Sequence, residues 1–228
     1  MISPPVLAQI PIVYEDGEAL VIDKPAGLPV DPPRNGGTCL ADYYEGLKLG
    51  FMRPPVAVHR LDTDTSGCLL LARNPKAVKR FARAFEERLV AKRYLGIIGG
   101  ELDQEEGTID LPLGKVSSAE MGWRMVHDPD GKPSITHWKV LKVEGGNSLI
   151  EFRPETGRTH QIRVHAESGL GKPLLGDPVY GPEHGKSVGA RRTMLHASAI
   201  TVQRANKPEI AGIAPMPADF IDLGFTDG

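Results

Sequence analysis

Nine consecutive residues, His59-Arg60-Leu61-Asp62-Thr63-Asp64-Thr65-Ser66-Gly67, set two carboxylates, an imidazole, a guanidinium and three hydroxyls between two apolar stretches. An aspartate at a strand end can act as nucleophile, general base or metal ligand. Asp64, two residues on, makes a paired-carboxylate site conceivable. The competing structural role is an Asx turn, in which the same side chains cap local backbone groups. A second polar island runs from Glu155 to His165 and carries Arg158 and Arg163, which can clamp a carboxylate or phosphates or merely salt-bridge a helix start. Its His160 and His165 are five apart. Helical metal ligands need three or four and same-face strand ligands two or four, so no metal pair is expected. The third island is Lys92-Arg93-Tyr94, where a tyrosine heads an apolar strand and would ordinarily be a core residue with its hydroxyl at the rim.

These islands need elements to hold them. Residues 10–14 and 19–23 read as strands around the Glu15-Asp16-Gly17 turn. Residues 38–48 suit a short helix, 56–60 a strand and 67–73 a second apolar strand. The clearest helix is 75–90. Asn74 is a good N-cap and Pro75 fits the first helical position, while Val78, Phe81, Phe85 and Leu89 line one face. Strands are expected over 92–99, 136–143, 148–152 and 195–202, and a short helix over 160–168 ending at Gly169. Residues 115–134 read as a polar surface excursion and 171–192 as a long loop. Strands come in groups with occasional helices, which gives a mixed α+β pattern with antiparallel pairs.

The 228 residues, 40% hydrophobic and 25% charged, suit one domain or a domain of two joined halves. The longest apolar runs, such as Cys68-Leu69-Leu70-Leu71-Ala72, fall far short of the roughly 20 residues that span a bilayer. Residues 1–5 lack the basic start and apolar stretch of a signal peptide. A cytoplasmic protein with no membrane partner is therefore expected. Cys39 and Cys68 stand alone, so neither a disulfide framework nor a zinc ribbon is expected. GxGxxG, P-loop, GxSxG and Cys–His nucleophile patterns are absent, which speaks against a nucleotide cofactor. The formal charge of −2 hides a segregation. Residues 1–50 carry −4, residues 73–93 carry +6 and residues 186–207 carry +5. Two basic blocks could track phosphates, or form a solvated helix face and an exposed loop.

Taken together, the islands resemble the RluA family of RNA pseudouridine synthases. His59-Arg60-Leu61-Asp62 followed by Thr65-Ser66-Gly67 is similar to its HRLDxxTSG signature, and Gly157-Arg158-Thr159-His160-Gln161-Ile162-Arg163 to its GRTHQIR motif. Lys92-Arg93-Tyr94 resembles its KxY element. Tyr14-Glu15-Asp16 with Leu20 through Leu28 resembles its opening segment. Leu175-Gly176-Asp177, Tyr180-Gly181 and Leu195-His196-Ala197 match later landmarks. The link at 166–173 is longer than the family's, and 182–192 aligns least well. The resemblance implies the family's α+β catalytic fold, a mixed and mostly antiparallel sheet with flanking helices and loops around a central cleft. It implies a single catalytic domain over 1–228, with too few residues before the opening segment for an S4 domain. It also implies catalytic roles for Asp62, Tyr94 and Arg163, with Arg163 ion-paired to Asp62, and a role for Arg60 in replacing a flipped base. Substrate contacts are expected from His59, Arg60, Thr65, Arg158, His160, Gln161 and Ile162. The expected partner is RNA, an rRNA or tRNA stem-loop, bound by a monomer with no cofactor and no metal.

The reaction so implied detaches uracil from ribose, turns it and rejoins it through carbon. It needs one ionised carboxylate, for which Asp62 is the candidate. Arg163 would favour the charged form of that acid. Tyr94 could stack on the uracil and move a proton, and the uridine must first be flipped out. Two other readings compete. A uridine-directed nucleosidase or glycosylase would release free uracil, and a non-catalytic RNA-binding module would be indifferent to loss of Asp62.

Overall fold

The computed structural model describes residues 10–118, 122–181 and 189–226. The chain forms two compact units, Met1–Lys92 with Ala197–Pro215, and Arg93–His196 with Met216–Gly228. In the first unit, β1 (Ile12–Glu15) and β2 (Ala19–Lys24) form the expected antiparallel hairpin. Asp16 turns it, accepting hydrogen bonds from the Glu18 and Ala19 N–H groups at 2.8 and 2.7 Å. β2 pairs antiparallel with β4 (Ser66–Ala72), and the two-residue β3 (Val56–Ala57) also pairs β4. β4 is buried along its whole length, which explains why it reads as a continuous apolar run rather than an alternation. β11 (Leu195–Val202) lies next to β4, and β12 (Ile210–Ile213) pairs with β11.

Helix α1 (Pro75–Glu86) covers this sheet. Asn74 Oδ1 accepts from Ala77 N at 2.9 Å, and Ala77, Phe81 and Ala84 bury against Val21, Leu70, Val202 and Ile210. The helix ends four residues earlier than its stripe suggests. Arg88 turns to φ 59° and Leu89 is left exposed, so the reversal into the next strand overrides the apolar spacing. The helix expected over 38–48 is instead two 3₁₀ turns, Leu40–Tyr43 and Gly46–Lys48, followed by Leu49 and Gly50 at positive φ.

The second unit is built on an antiparallel sheet in the order β5-β10-β9-β6, formed by β5 (Val90–Gly99), β6 (Glu106–Asp110), β9 (Ile135–Glu144) and β10 (Asn147–Pro154). β5 crosses into this unit at Arg93. Its side chains alternate as a sheet requires. Ile98 joins Ile150, Phe152, Trp138 and Ile162 in one core, while Leu95 and Ile97 join Leu149, Phe220 and Phe225 in another. α2 (Gln161–Val164) runs on as a π-helical turn, His165–Gly169, and α3 (Ala218–Asp222) supplies Phe220. The surface excursion expected over 115–134 contains a hairpin, β7 (Leu113–Ser118) and β8 (Gly122–His127). Its strands are exposed on both faces for most of their length and so carry no apolar period. Part of the expected 171–192 loop, residues 182–188 with Lys186, lies outside the described residues. Among the described residues no helix is long and apolar enough to cross a membrane.

One glycine fixes the junction between the Asp62 segment and β4. Gly67 sits at φ +106°, and a Cβ there would lie 2.2 Å from the Ala197 carbonyl oxygen on β11. Both the left-handed backbone and the missing side chain are required. Gly67→Ala should therefore destabilise the fold by more than about 2 kcal/mol. Urea titration checks this, and an unchanged midpoint contradicts it.

Candidate active site

Asp62 lies in a turn between β3 and β4, closed by the hydrogen bond from Thr65 N to Asp62 O at 3.1 Å. Asp62 and Asp64 are half-buried, Thr63 is exposed and Thr65 is buried. The turn is fastened from below at one atom, the carbonyl oxygen of Thr63. That oxygen accepts from Gly27 N at 2.9 Å and from Lys24 Nζ at 3.1 Å. Lys24 is fully buried, and its ammonium also donates to the carbonyls of Pro25 and Leu28 at 2.8 and 2.9 Å. A buried cation must spend its donors, and these three acceptors bind the Lys24–Leu28 segment to the turn that presents Asp62.

His59 and Arg60, expected to meet substrate, have different surroundings. His59 Nε2 accepts from Leu70 N at 2.9 Å, taking the place of a strand partner where β3 stops, and its ring packs on Phe85 with centroids 4.8 Å apart. Burial, and then the charge of Lys92, push its pKa down to about 3, so it is a neutral acceptor. Burial also brings Lys92 down to about 8. Arg60 is exposed and ion-paired with exposed Asp31 at 3.1 Å, a contact of little energetic weight.

The second unit holds Tyr94, Arg158, His160, Gln161, Ile162 and Arg163. Tyr94 is half-buried on β5 opposite Phe152 and packs against the core that contains Ile162. Ile162 is itself a buried member of that core. Gln161 is a scaffold hub. Its amide nitrogen donates to Ile135 O and Thr136 Oγ1 at 3.0 and 2.9 Å, and its amide oxygen accepts from Thr156 Oγ1 and Arg158 N at 2.7 and 3.0 Å. Those four bonds exhaust an amide's ordinary capacity, so its side chain is fully engaged inside the unit. Arg158 Nε donates to Pro133 O at 3.3 Å. His160 caps α2 at φ 54°, and its Nδ1 lies 2.9 Å from the Tyr180 hydroxyl. His165 is wholly buried, with Nδ1 against Thr136 Oγ1 and Nε2 against Leu111 O. The carbonyl requires a proton on Nε2, and burial lowers its pKa.

Arg163 projects from α2 into a buried bidentate pair with Asp177, Nε to Oδ2 at 2.7 Å and Nη2 to Oδ1 at 2.9 Å. Burial alone would raise the Asp177 carboxyl. The hydrogen bonds and charge of Arg163, with the N–H groups of Tyr180 and Val179, outweigh it and hold the carboxyl below the usual range. Asp62 belongs to one unit, Tyr94 and Arg163 to the other. Lys24, Asp177 and Tyr180 emerge here as site supports. In the sequence they showed only as landmarks of the resemblance, without chemistry attached.

The basic blocks are largely neutralised in the first unit. Arg73 meets Glu15, Arg80 and Lys207 meet Glu18, and Arg204 meets Asp16 and Glu18. Lys76 and Lys79 on α1 remain exposed with no ion pair among the described residues. Among those residues, no three His, Cys, Asp or Glu side chains are grouped to hold a metal.

Comparison with solved structures places the fold among pseudouridylate synthase domains. Human RNA pseudouridylate synthase domain containing 1 superposes with a TM-score of 0.78 at 31% identity, covering 95% of this chain and 87% of that one. Human RNA pseudouridylate synthase domain containing 4 gives 0.76 at 26%, covering 93% and 90%. Residues 18–168 match the family model described as RNA pseudouridylate synthase. An uncharacterised RNA pseudouridine synthase of Zymomonas mobilis is 51% identical over 97% of this chain and its own full length. The same organism's ribosomal large subunit pseudouridine synthase D is 37% identical over 93% of this chain and 67% of its own. The chain therefore belongs to the RNA pseudouridylate synthase family, isomerases that act on RNA.

Two outcomes follow from the site's scaffolding. Lys24→Met removes a buried ammonium from three carbonyls and should cost about 3 kcal/mol. That lowers Tm by roughly 6–12 °C, read by thermal unfolding. The folded-state pKa of His59 is depressed, so its contribution to stability is complete above its unfolded pKa of roughly 6.5. It is lost as pH falls from there toward about 3. Urea midpoints should decline across that window and decline less in His59→Asn, which keeps an acceptor for Leu70 N. Equal slopes in the two proteins would contradict the assignment.

Proposed function

We propose that this enzyme converts a uridine of ribosomal RNA, presented in a stem-loop, to pseudouridine, with Asp62 as the acting carboxylate. The observation that carries this reading is the Asp62 turn. In a chain of this family, an aspartate sits on a turn whose backbone is pinned at Thr63 O by a buried ammonium and an amide N–H. Such pinning pre-orients a reacting group. The choice of ribosomal RNA is supported by the 37% identity to a protein named for the large ribosomal subunit.

The chemistry is an isomerisation. The bond between ribose C1′ and uracil N1 breaks, the ring rotates, and C1′ joins C5. The proton on C5 leaves and N1 gains one, so mass is unchanged. Asp62 acts at the ribose, as nucleophile or as base. Arg163 is its ion-pair partner, stabilising the charged carboxylate against desolvation. Tyr94 stacks on the uracil. Arg60, exposed and only loosely tied to Asp31, fills the position left by the flipped base. Lys76 and Lys79 contact phosphates. Every residue used belongs to one chain, so a monomer suffices.

The test is pseudouridine mapping of total RNA from cells with and without the gene, followed by assay of the purified enzyme on the RNA that loses a site. Asp62→Asn should lower the rate by on the order of 10³-fold or more while RNA affinity changes little. No lost site, or an Asp62→Asn enzyme with normal turnover, overturns the proposal. Release of free uracil would identify a glycosylase instead.

A further inference from the structure

The guanidinium of Arg163 is located by three separate constraints, all within the second unit. Asp177 takes its Nε and Nη2. Its Cζ lies over the Tyr180 ring, 5.1 Å from the centroid. The short helix that carries it begins at His160, whose Nδ1 meets the hydroxyl of the same Tyr180. The supports are themselves anchored. Asp177 Oδ1 accepts from Val179 N and Tyr180 N at 2.9 and 3.0 Å, and the Tyr180 hydroxyl accepts from Met125 N at 3.1 Å. The side chains of Arg163 and Asp177 are 8% and 0% exposed. A buried ion pair rarely stabilises a fold more than apolar packing of the same volume. What it supplies is a fixed direction, because the planar guanidinium binds a carboxylate in one geometry.

We infer that Asp177 is a positioning residue for the isomerisation, acting through Arg163. The inference rests on the reading of Asp62 and Arg163 given above. With Nε and Nη2 committed to Asp177, a second carboxylate sharing this guanidinium must approach along the Nη1 edge. Asp177 thereby fixes the direction of the guanidinium within its own unit.

Asp177→Asn separates this role from plain scaffolding. The Asn oxygen can still accept from Val179 N and Tyr180 N, so the 177–180 turn keeps its bonds. Its NH₂ then faces Arg163 Nε donor to donor, and the guanidinium loses its orientation. On the RNA fragment identified by mapping, kcat should fall about 30- to 100-fold with KM within about twofold of wild type. In an Arg163→Lys background, Asp177→Asn should add less than about twofold, because the group it positions is gone. If the Asn variant does not fold, Asp177→Glu keeps the charge but displaces it by one methylene, and the same loss in kcat is expected. Normal kcat in a folded variant, a change confined to KM, or full multiplication of the two effects overturns the inference. If wild-type enzyme forms no pseudouridine in any RNA, the functional reading itself has failed. Active wild type with an equally active Asp177→Asn enzyme defeats only the role of Asp177.

Discussion

A cation without water must be surrounded by acceptors, and that requirement organises the functional end of each unit. In the first, Lys24 is enclosed and donates to three main-chain carbonyls, one of them in the Asp62 turn. A carbonyl cannot rotate away from the backbone that carries it. The ammonium therefore fixes chain geometry at the turn. In the second unit Arg163 is answered by a carboxylate that is itself tied to two N–H groups. The bonds differ in kind, those of Lys24 running to backbone oxygens and those of Arg163 to a carboxylate in a directional pair. Each places a polar group where mobility would defeat it.

The charge pattern shows a related economy. Acidic Glu15, Asp16 and Glu18 stand together at the β1–β2 turn and draw in Arg73, Arg80, Arg204 and Lys207 from both basic blocks. Sequence stretches of opposite sign thus cancel against one another within the first unit. What stays outward on α1 without an ion pair among the described residues is a small remainder, Lys76 and Lys79, on the side of the helix away from its apolar stripe. The formal charge of −2 thus does not exclude a local basic surface on this helix.

Much of this was legible in the residues. The capped start of helix α1, the Asp16 hairpin and the apolar strand β4 follow from local periodicity and turn chemistry and occur where expected, while α1 stops at Glu86 and β3 covers only 56–57 of the expected 56–60. The mixed α+β class with antiparallel pairing is also found. What escaped was partner choice over distance. Lys24 bonds to a residue 39 positions away and Arg163 to one 14 away, and no spacing rule connects them. Gln161, Ile162 and His59 carry motif positions that look like ligand contacts. Their side chains take up scaffold, core and strand-end duties. The β7–β8 hairpin was missed because strands exposed on both faces have no alternation to read.

The first unit is also interrupted. Its early portion closes at Lys92, yet Ile200, Val202 and Ile210 of its core come from Ala197–Pro215, after more than a hundred intervening residues. On a ribosome, β4 must wait for its neighbour β11 with the part of its edge that β3 and His59 do not cover unpaired, while the β5-β10-β9-β6 sheet lies within one continuous stretch. The order of synthesis therefore favours assembly of the later sheet before the segment bearing Asp62 is complete. Until residue 215 emerges, that waiting edge is where a nascent-chain chaperone would find its grip.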